Sequence, residues 1–312
     1  MKIVFMGTPD FSVPTLVALS EAGHELLAVV TQPDKPKGRG KAVLMTPVKE
    51  KAIELGIPVY QPVKVKDETF VQVLRELNPD IIVVVAFGQI LSKEILTLPL
   101  YGCVNVHASL LPKYRGAAPI QWSIIDGEAE TGITTMKMDV GLDTGDMLEK
   151  IVIPIQPDET GGSLHDKLSE AGGRLIITTL QGLENQTLVP IPQNDEESCY
   201  AKMLTKTLGD IDWSMGAVEI ERLIRGLNPW PSAYTSWQGK TLKIWEAETI
   251  ECEYEGEFGQ IVNITKEQLY IKTGKHTLSV KVLQLEGKKR MLVSEFLRGH
   301  QLNCGMLLER RS

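Results

Sequence analysis

The stretch DIIVVVAFG at residues 80–88 is a short apolar run that ends at a glycine. It has the length of a β-strand, and a continuous apolar strand is typical of one that is buried on both faces of a parallel sheet. Two earlier runs, KIVFM at residues 2–6 and HELLAVVT at residues 24–31, have the same character, and segments with helical periodicity lie between the runs. This alternation predicts an α/β fold with a doubly wound, mostly parallel sheet of the Rossmann-like kind.

The C-terminal third has a different pattern. The segment LVPIPQNDEESC at residues 188–199 combines prolines with acidic residues and has no periodicity, which is typical of a linker. After it come one helical segment and several short strand-like segments separated by glycine turns, which predict a small OB-like β-barrel. We therefore predict a catalytic domain over residues 1–189, a linker over residues 190–207 and a C-terminal β-barrel over residues 208–312.

Composition narrows the class of protein. A chain of 312 residues exceeds what one hydrophobic core usually supports, so two domains are expected. No apolar stretch approaches the roughly 20 residues that cross a bilayer, and the N-terminus lacks a signal-peptide core. The four scattered cysteines form neither a disulfide framework nor a zinc-ligand pattern. We predict a cytoplasmic protein that binds no membrane.

Charge is distributed unevenly along the chain. The net charge is −7, yet residues 208–312 hold 14 basic and 14 acidic residues, so the first 207 residues carry the whole excess of acid. Within that acidic part, residues 35–51 concentrate six basic residues against one glutamate. A local basic segment on an acidic protein predicts a specific contact with an anion rather than general coating of nucleic acid.

Two polar side chains stand out in GCVNVHAS, the strand-like segment at residues 102–109. Successive side chains of a strand alternate between its faces, so Asn105 and His107 share one face. In open α/β sheets the ligand crevice lies at the carboxyl ends of the strands, where this pair is expected. The alternative is a hydrogen-bonded core asparagine beside a structural histidine.

An acidic, glycine-rich loop follows later, MDVGLDTGD at residues 138–146. It contains Asp139, Asp143 and Asp146, and carboxylates at short spacing raise the alternative of a calcium site. The spacings of four and three residues, without a glutamate at the EF-hand distance, do not match that motif. We predict that the protein binds no metal.

Long segments around these residues resemble a known enzyme family. NVHASLLPKYRGAAPIQW at residues 105–122 and ETGITTMKMDVGLDTGDM at residues 130–147 are similar to the folate-dependent formyltransferases. The resemblance implies that Asn105, His107 and Asp143 form the catalytic set. An amine would attack the formyl carbon of 10-formyltetrahydrofolate, Asn105 would donate to the oxyanion, and His107, oriented by Asp143, would donate to the oxyanion or pass a proton.

The resemblance also implies where the folate binds. The SLLP segment contacts the folate in the family, and with the end of the 80–88 run it makes up the predicted cofactor site: Ser109, Leu110, Leu111, Pro112, Phe87 and Gly88. Cys103 and Ser109 are rival nucleophiles, because either could form an acyl-enzyme with a histidine base. The family transfers the formyl group directly, so we interpret Cys103 as a core residue.

Three further segments resemble the family members that formylate methionyl-tRNA: GTPDF at residues 7–11, TQPDKPKGRGK at residues 31–41 and NPWPSAY at residues 228–234. They imply that the loop at residues 34–51 contacts the initiator tRNA, with Arg39 as the key contact and Lys37 and Lys41 beside it at phosphates. Phe11 is expected to border the methionyl pocket. The C-terminal barrel is the second predicted tRNA contact, and a monomer is expected.

Two other hypotheses remain open at this point. The same chemistry could act on a small-molecule amine, a ribonucleotide or an amino sugar. A binding module could instead sense folate or tRNA without turnover, although the complete predicted set of catalytic residues argues against it.

Overall fold

The computed structural model describes residues 1–37 and 42–311, which fall into two compact units. Unit 1 comprises Met1–Pro119, Glu130–Pro154 and His165–Ala201, and unit 2 comprises Ile120–Ala129, Ile155–Leu164 and Lys202–Ser312. The segment 190–201, interpreted above as linker, therefore clusters with unit 1. The domain boundaries drawn from the sequence stay a prediction.

Unit 1 is built on a twisted central sheet. In chain order the strands of unit 1, inside and outside that sheet, are β1 (Lys2–Gly7), β2 (Glu25–Val30), β3 (Lys35–Lys37), β4 (Ala42–Leu44), β5 (Val59–Tyr60), β6 (Ile81–Val85), β7 (Cys103–His107), β8 (Arg115–Gly116), β9 (Glu130–Lys137), β10 (Met147–Pro154) and β11 (Tyr200–Ala201). Within the described residues, the central sheet has the order β10-β9-β7-β6-β1-β2-β5. The pairs from β7 to β5 are parallel, and β9 and β10 are antiparallel. The predicted mostly parallel α/β sheet is confirmed.

Helices cover both faces of this sheet. Within the described residues, the α-helices of both units are α1 (Val13–Glu21), α2 (Pro47–Glu54), α3 (Glu68–Leu77), α4 (Lys93–Thr97), α5 (Pro119–Ile125), α6 (Gly161–Glu184), α7 (Ala217–Gly226) and α8 (Val293–Gly299). One face packs on α3 and α4 in a buried cluster that includes Met6, Ile82, Phe70, Ile95 and Cys103. On the other face α6 approaches β7 closely, because a Cβ on Gly172 would lie 2.9 Å from Val106 Cγ1.

The helices also bear on whether the chain can cross a bilayer. Across residues 1–37 and 42–311, none combines the length and the apolar character that a membrane crossing needs.

Unit 2 contains an antiparallel sheet. Its strands are β12 (Ala233–Trp237), β13 (Lys240–Ile250), β14 (Ile261–Ile264), β15 (Leu269–Lys272), β16 (Thr277–Leu285) and β17 (Met291–Leu292), in the order β12-β13-β16-β15-β14 with β17 beside β16. The C-terminal segment bridges both edges, since Glu309 pairs with Ser236 of β12 and Leu307 pairs with Gln260 just before β14. This arrangement is consistent with the predicted small barrel.

Candidate active site

The predicted site segments follow three neighbouring strands of the sheet. Phe11 comes after β1, Phe87 and Gly88 after β6, and residues 109–112 after β7. Because β1, β6 and β7 are parallel, these segments meet at the same carboxyl edge of the sheet. Thr8 Oγ1 donates to the Phe87 carbonyl at 3.0 Å, which ties the ends of β1 and β6 together.

His107 ends β7 with both ring nitrogens directed at oxygen atoms. Its side chain is buried, and Nε2 lies 2.8 Å from the carbonyl oxygen of Tyr114. A carbonyl can only accept, so Nε2 carries a hydrogen and Nδ1 is the nitrogen that can gain or lose a proton. Nδ1 lies 3.7 Å from Asp143 Oδ2, so the predicted His–Asp pair is brought together in unit 1.

Asp143 reaches this position by an indirect path. Its loop starts at the opposite end of β7, where the Met138 amide donates to the Cys103 carbonyl at 2.8 Å. Asp143 then adopts a left-handed backbone conformation with φ 54°, which few residues with side chains adopt. The Gly116 amide donates to Asp143 Oδ2 at 2.9 Å and holds the carboxylate in place.

A second acid of this loop supports the turn. Asp139 accepts hydrogen bonds from the Gly141 amide at 3.0 Å and from Thr144 Oγ1 at 2.8 Å. Its carboxylate thereby organises the loop that carries Asp143. Within the described residues, no cluster of three or more histidine, cysteine, aspartate or glutamate side chains could hold a metal ion.

Asn105 is placed differently from a structural core asparagine. Its side chain is 8% exposed, and its amide makes no hydrogen bond within residues 1–37 and 42–311. Its amide atoms are not among the fully buried polar atoms that lack a partner in this part of the chain, so they are open to solvent and available to a ligand. The alternative of an asparagine held by core hydrogen bonds therefore finds no such bond in the described part of the chain.

The SLLP segment is ordered by internal hydrogen bonds. Ser109 Oγ donates to the Lys113 carbonyl at 2.6 Å, and Thr134 Oγ1 both accepts from the Leu111 amide at 3.1 Å and donates to the Ser109 carbonyl at 2.7 Å. Ser109 and Leu111 are fully buried, whereas Leu110 and Pro112 are half-buried. The Ser109 hydroxyl is therefore occupied, and the folate-binding role of the segment stays a prediction.

Phe11 is buried beside α6. Its ring meets His165 edge-on with centroids 5.2 Å apart, and its carbonyl accepts from Ser169 Oγ at 2.8 Å. His165 Nε2 in turn lies 3.6 Å from Asp10 Oδ1. These contacts hold Phe11 at the carboxyl edge of β1, and its predicted role in the substrate pocket stays a prediction.

The basic segment contains a short β3–β4 hairpin before α2 begins. Arg39 and Lys41, and the side chain of Lys37, lie outside the described residues. Within this segment the Lys49 side chain is bonded internally, because its Nζ donates to Asp34 Oδ2 at 2.5 Å and to Gln61 Oε1 at 2.7 Å. The hydrogen bonds that Asp34 accepts from Lys49 and from Gln61 Nε2 keep the pKa of its carboxyl below the ordinary value. A cavity of about 400 Å³ opens beside the hairpin, lined among others by Thr8, Gln32, Lys35, Met45 and Glu50.

Cys103 is unsuited to be a nucleophile. It is fully buried in the α3–α4 cluster, and burial raises the pKa of its thiol to about 12. Since the thiolate is the reactive form, the thiol is inert at neutral pH. The interpretation of Cys103 as a core residue agrees with this environment.

This difference in exposure predicts a labelling pattern. Cys199, Cys252 and Cys304 are exposed free cysteines, so a thiol reagent should modify three thiols rapidly in the native protein and the fourth only after unfolding. Because the raised pKa applies only to the folded state, the free energy of unfolding should also fall by up to about 1.4 kcal/mol per pH unit above pH ~9. Cys103→Ala should remove the slow thiol and weaken that pH dependence, and rapid labelling of all four native thiols would contradict the assignment.

Two family models match separate parts of this chain. Residues 1–180 match the formyl transferase family model, and residues 203–301 match the model of the formyl transferase C-terminal domain. The chain belongs to the formyl transferase family. A methionyl-tRNA formyltransferase of Agathobacter rectalis is 59% identical over 305 residues, with 98% of each chain covered. The predicted family and the predicted class of enzyme, a one-carbon group transferase, are confirmed.

Solved structures with low sequence identity share the fold of this formyl transferase. An N-formyltransferase of Helicobacter canadensis, in complex with folinic acid and dTDP-3-aminofucose, has a TM-score of 0.68 at 19% identity and covers 93% of this chain and 100% of its own. HypX of Aquifex aeolicus, in complex with tetrahydrofolic acid, has a TM-score of 0.63 at 18% identity and covers 98% of this chain and 50% of its own. At these identities the likeness concerns the fold alone.

The main feature not predicted from the sequence is the attachment of residues 190–201 to unit 1. β11 pairs in parallel with β8, the two-residue strand that follows the SLLP segment. Gln193 donates to the Asp143 loop, and Cys199 Sγ accepts from the Tyr114 amide. Two-residue strands carry no periodicity, so no signal in the sequence indicated this pairing.

Proposed function

We propose that this enzyme transfers the formyl group of 10-formyltetrahydrofolate directly to the free amino group of methionyl-tRNA. The observation that carries the proposal is the near-full-length similarity to a methionyl-tRNA formyltransferase, in a chain whose site pairs His107 with Asp143 beside an unpartnered Asn105 amide. In this reaction the amine nitrogen bonds to the formyl carbon. The folate nitrogen leaves and takes up a proton, while the amine loses one.

Asn105 is proposed to stabilise the tetrahedral adduct. The carbonyl oxygen of the formyl group becomes negatively charged as the amine attacks, and an amide N–H that is already in place stabilises this charge without reorganisation. The Asn105 amide is free for this purpose, since no hydrogen bond within the described chain competes for it. Its 8% exposure leaves it accessible from the carboxyl edge.

His107 is proposed to act chiefly through its charge. When protonated, the ring can donate from Nε2 to the Tyr114 carbonyl and point Nδ1 at the Asp143 carboxylate. A protonated ring in this place would supply positive charge near the developing oxyanion while facing an acceptor at each nitrogen. Passing a proton between the two substrate nitrogens would require one of these contacts to break.

The folate is proposed to bind along the edge formed by residues 109–112 with Phe87 and Gly88. Since Ser109 and Leu111 are buried and bonded within the chain, Leu110 and Pro112 are the members of that segment that can offer apolar contact. Gly88 is exposed and has φ 82°, so its backbone is accessible. The folate ligands named for the structures with the same fold support a folate as the formyl donor.

The tRNA is proposed to contact two basic surfaces. Residues 34–51 form the first, through Lys37, Arg39 and Lys41. The second is on unit 2, where the Arg290 guanidinium lies 3.6 Å from the centroid of the Trp245 ring and Lys243 Nζ lies 5.5 Å from it. Cations held over an aromatic ring are a common means of binding nucleic acid. A monomer in the cytoplasm stays the prediction made from the sequence.

A direct assay tests the function. The purified enzyme is supplied with 10-formyltetrahydrofolate and methionyl initiator tRNA, and the product is analysed for formylmethionyl-tRNA. Parallel reactions contain glycinamide ribonucleotide or an amino sugar as the acceptor. We expect product only with the tRNA. Formylation of a small amine, with none of the tRNA, would contradict the proposal, and binding of both substrates without product would support a binding module instead.

Replacing Arg39 should be the most informative single test of whether the acceptor is a tRNA. We expect Arg39→Ala to lower kcat/KM for methionyl-tRNA by at least about 10-fold and to reduce the salt dependence of binding by about one phosphate contact. Arg75→Ala is the matched control, because Arg75 is a surface arginine already paired with Glu68 and Glu94. Equal rates for Arg39→Ala and the control would show that Arg39 of the basic loop does not contribute to the reaction with tRNA.

A further inference from the structure

The segment at residues 190–201 runs beside the active-site loops and is attached to unit 1 at both ends. At one end Ile191 exchanges two backbone hydrogen bonds with Met147, the first residue of β10, at 2.8 and 2.9 Å. At the other end β11 pairs with β8, and the Arg115 amide donates to the Cys199 carbonyl at 2.9 Å. A segment tethered in this way offers a rigid support for the loops between its ends.

Gln193 is a half-buried residue between these attachments, and both polar atoms of its amide group are bonded. Its Nε2 donates to the carbonyl oxygens of Asp143 and Gly145, both at 2.8 Å. Its Oε1 accepts from Arg115 Nε at 3.0 Å, and Arg115 also forms an ion pair with Asp195 at 2.8 Å. The side-chain amide therefore joins the loop that carries Asp143 to the strand that follows the SLLP segment.

The position of Gln193 matters because Asp143 has an unfavourable backbone conformation. At φ 54° a residue with a side chain needs surrounding contacts to stay in the left-handed region. The Gln193 hydrogen bond to the Asp143 carbonyl is such a contact, and the second bond, to Gly145, fixes the far side of the same turn.

The same segment also supports the other side of His107. Cys199 Sγ accepts from the Tyr114 amide at 3.1 Å, and the Tyr114 carbonyl is the group that faces His107 Nε2. Residues 193 and 199 thus support, through backbone groups, the two oxygen atoms that flank the His107 ring. Neither touches the ring itself.

We propose that Gln193 is a positioning residue, whose amide holds the Asp143 loop so that the carboxylate faces His107 Nδ1. This inference rests on the proposed function, because it takes the His107–Asp143 pair as part of the catalytic set. Gln193 would then act on the rate of transfer through Asp143, without contact to either substrate.

Gln193→Glu is the sharpest variant, because it keeps the size of the side chain. A glutamate can still accept from Arg115, but it cannot donate to the two loop carbonyls, so the Asp143 loop should move while unit 1 stays folded. A displacement of this kind should lower kcat by about 10- to 100-fold. We expect KM for methionyl-tRNA to change less than about 2-fold, so the loss should fall on kcat. Gln193→Met, with no charge and no donor, should have the same effect, and the exposed Glu196→Ala should leave kcat unchanged.

A double-mutant cycle with Asp143→Asn distinguishes this inference from the proposed function. If Gln193 acts through Asp143, Gln193→Glu should cost less than about 2-fold when Asp143 is already replaced. Equal losses in both backgrounds, or wild-type kcat in both folded Gln193 variants, would overturn the inference. Wild-type activity of Asp143→Asn itself would instead overturn the catalytic role assigned to Asp143.

Discussion

His107→Ala is expected to lower kcat by at least about 10³-fold with methionyl-tRNA, because it removes the charged group beside the adduct together with any proton transfer through the ring. The substrates should still bind, since the proposed folate contacts lie on the loops that follow β6 and β7, and the proposed tRNA contacts lie on residues 34–51 and on unit 2. Single-turnover formylation at saturating folate separates the rate of transfer from binding, and filter binding measures the affinity for tRNA.

Stability must be measured on the same variant, because His107 is buried. Its loss leaves the Tyr114 carbonyl without the ring that lies 2.8 Å away, which should cost about 1–3 kcal/mol of unfolding free energy. His24→Ala is the matched control, as His24 precedes β2 at the amino edge of the sheet, away from the site. A folded His107→Ala enzyme that retains transfer within about 3-fold of wild type would rule out the proposed role of His107.

Asn105→Asp should lower kcat by about 10²- to 10³-fold, the usual cost of losing one donor to an oxyanion. The variant keeps the shape of the side chain but replaces an N–H donor by an acceptor, and it adds negative charge where the adduct already develops one. Asn105→Ala tests the loss of the donor without the added charge and should be the milder change. Rapid-quench measurement of formylmethionyl-tRNA gives the rate for both.

The expected loss of rate can be distinguished from a folding defect. The Asn105 amide has no hydrogen-bond partner within the described residues, so its removal leaves no group of those residues newly unpaired. The melting temperature should therefore change little in Asn105→Ala, unlike in His107→Ala. Asn185→Asp, at an exposed site after α6, is the control for added charge. A rate for Asn105→Asp equal to that control would show that Asn105 does not serve the oxyanion.

Most of unit 1 could be predicted from local patterns. The apolar runs at β1, β2 and β6 indicate strands that are buried on both faces, and period-two alternation places Asn105 and His107 on one face at the end of β7. The short helices α4 and α8 were missed, because five to seven residues give too few turns for periodicity to be recognised. The pairs β3–β4 and β8–β11 were missed for the same reason.

The sequence by itself therefore determined the α/β sheet, the identity of its carboxyl edge, the two polar residues of β7 and the resemblance to formyltransferases. Only the tertiary structure decided that Asp143 faces His107, that the Asn105 amide is left without a partner, and that Gln193 supports the Asp143 loop from 50 positions away. The reason is physical: burial and backbone periodicity are encoded by neighbouring residues, whereas a contact between two loops depends on the path of the whole chain between them.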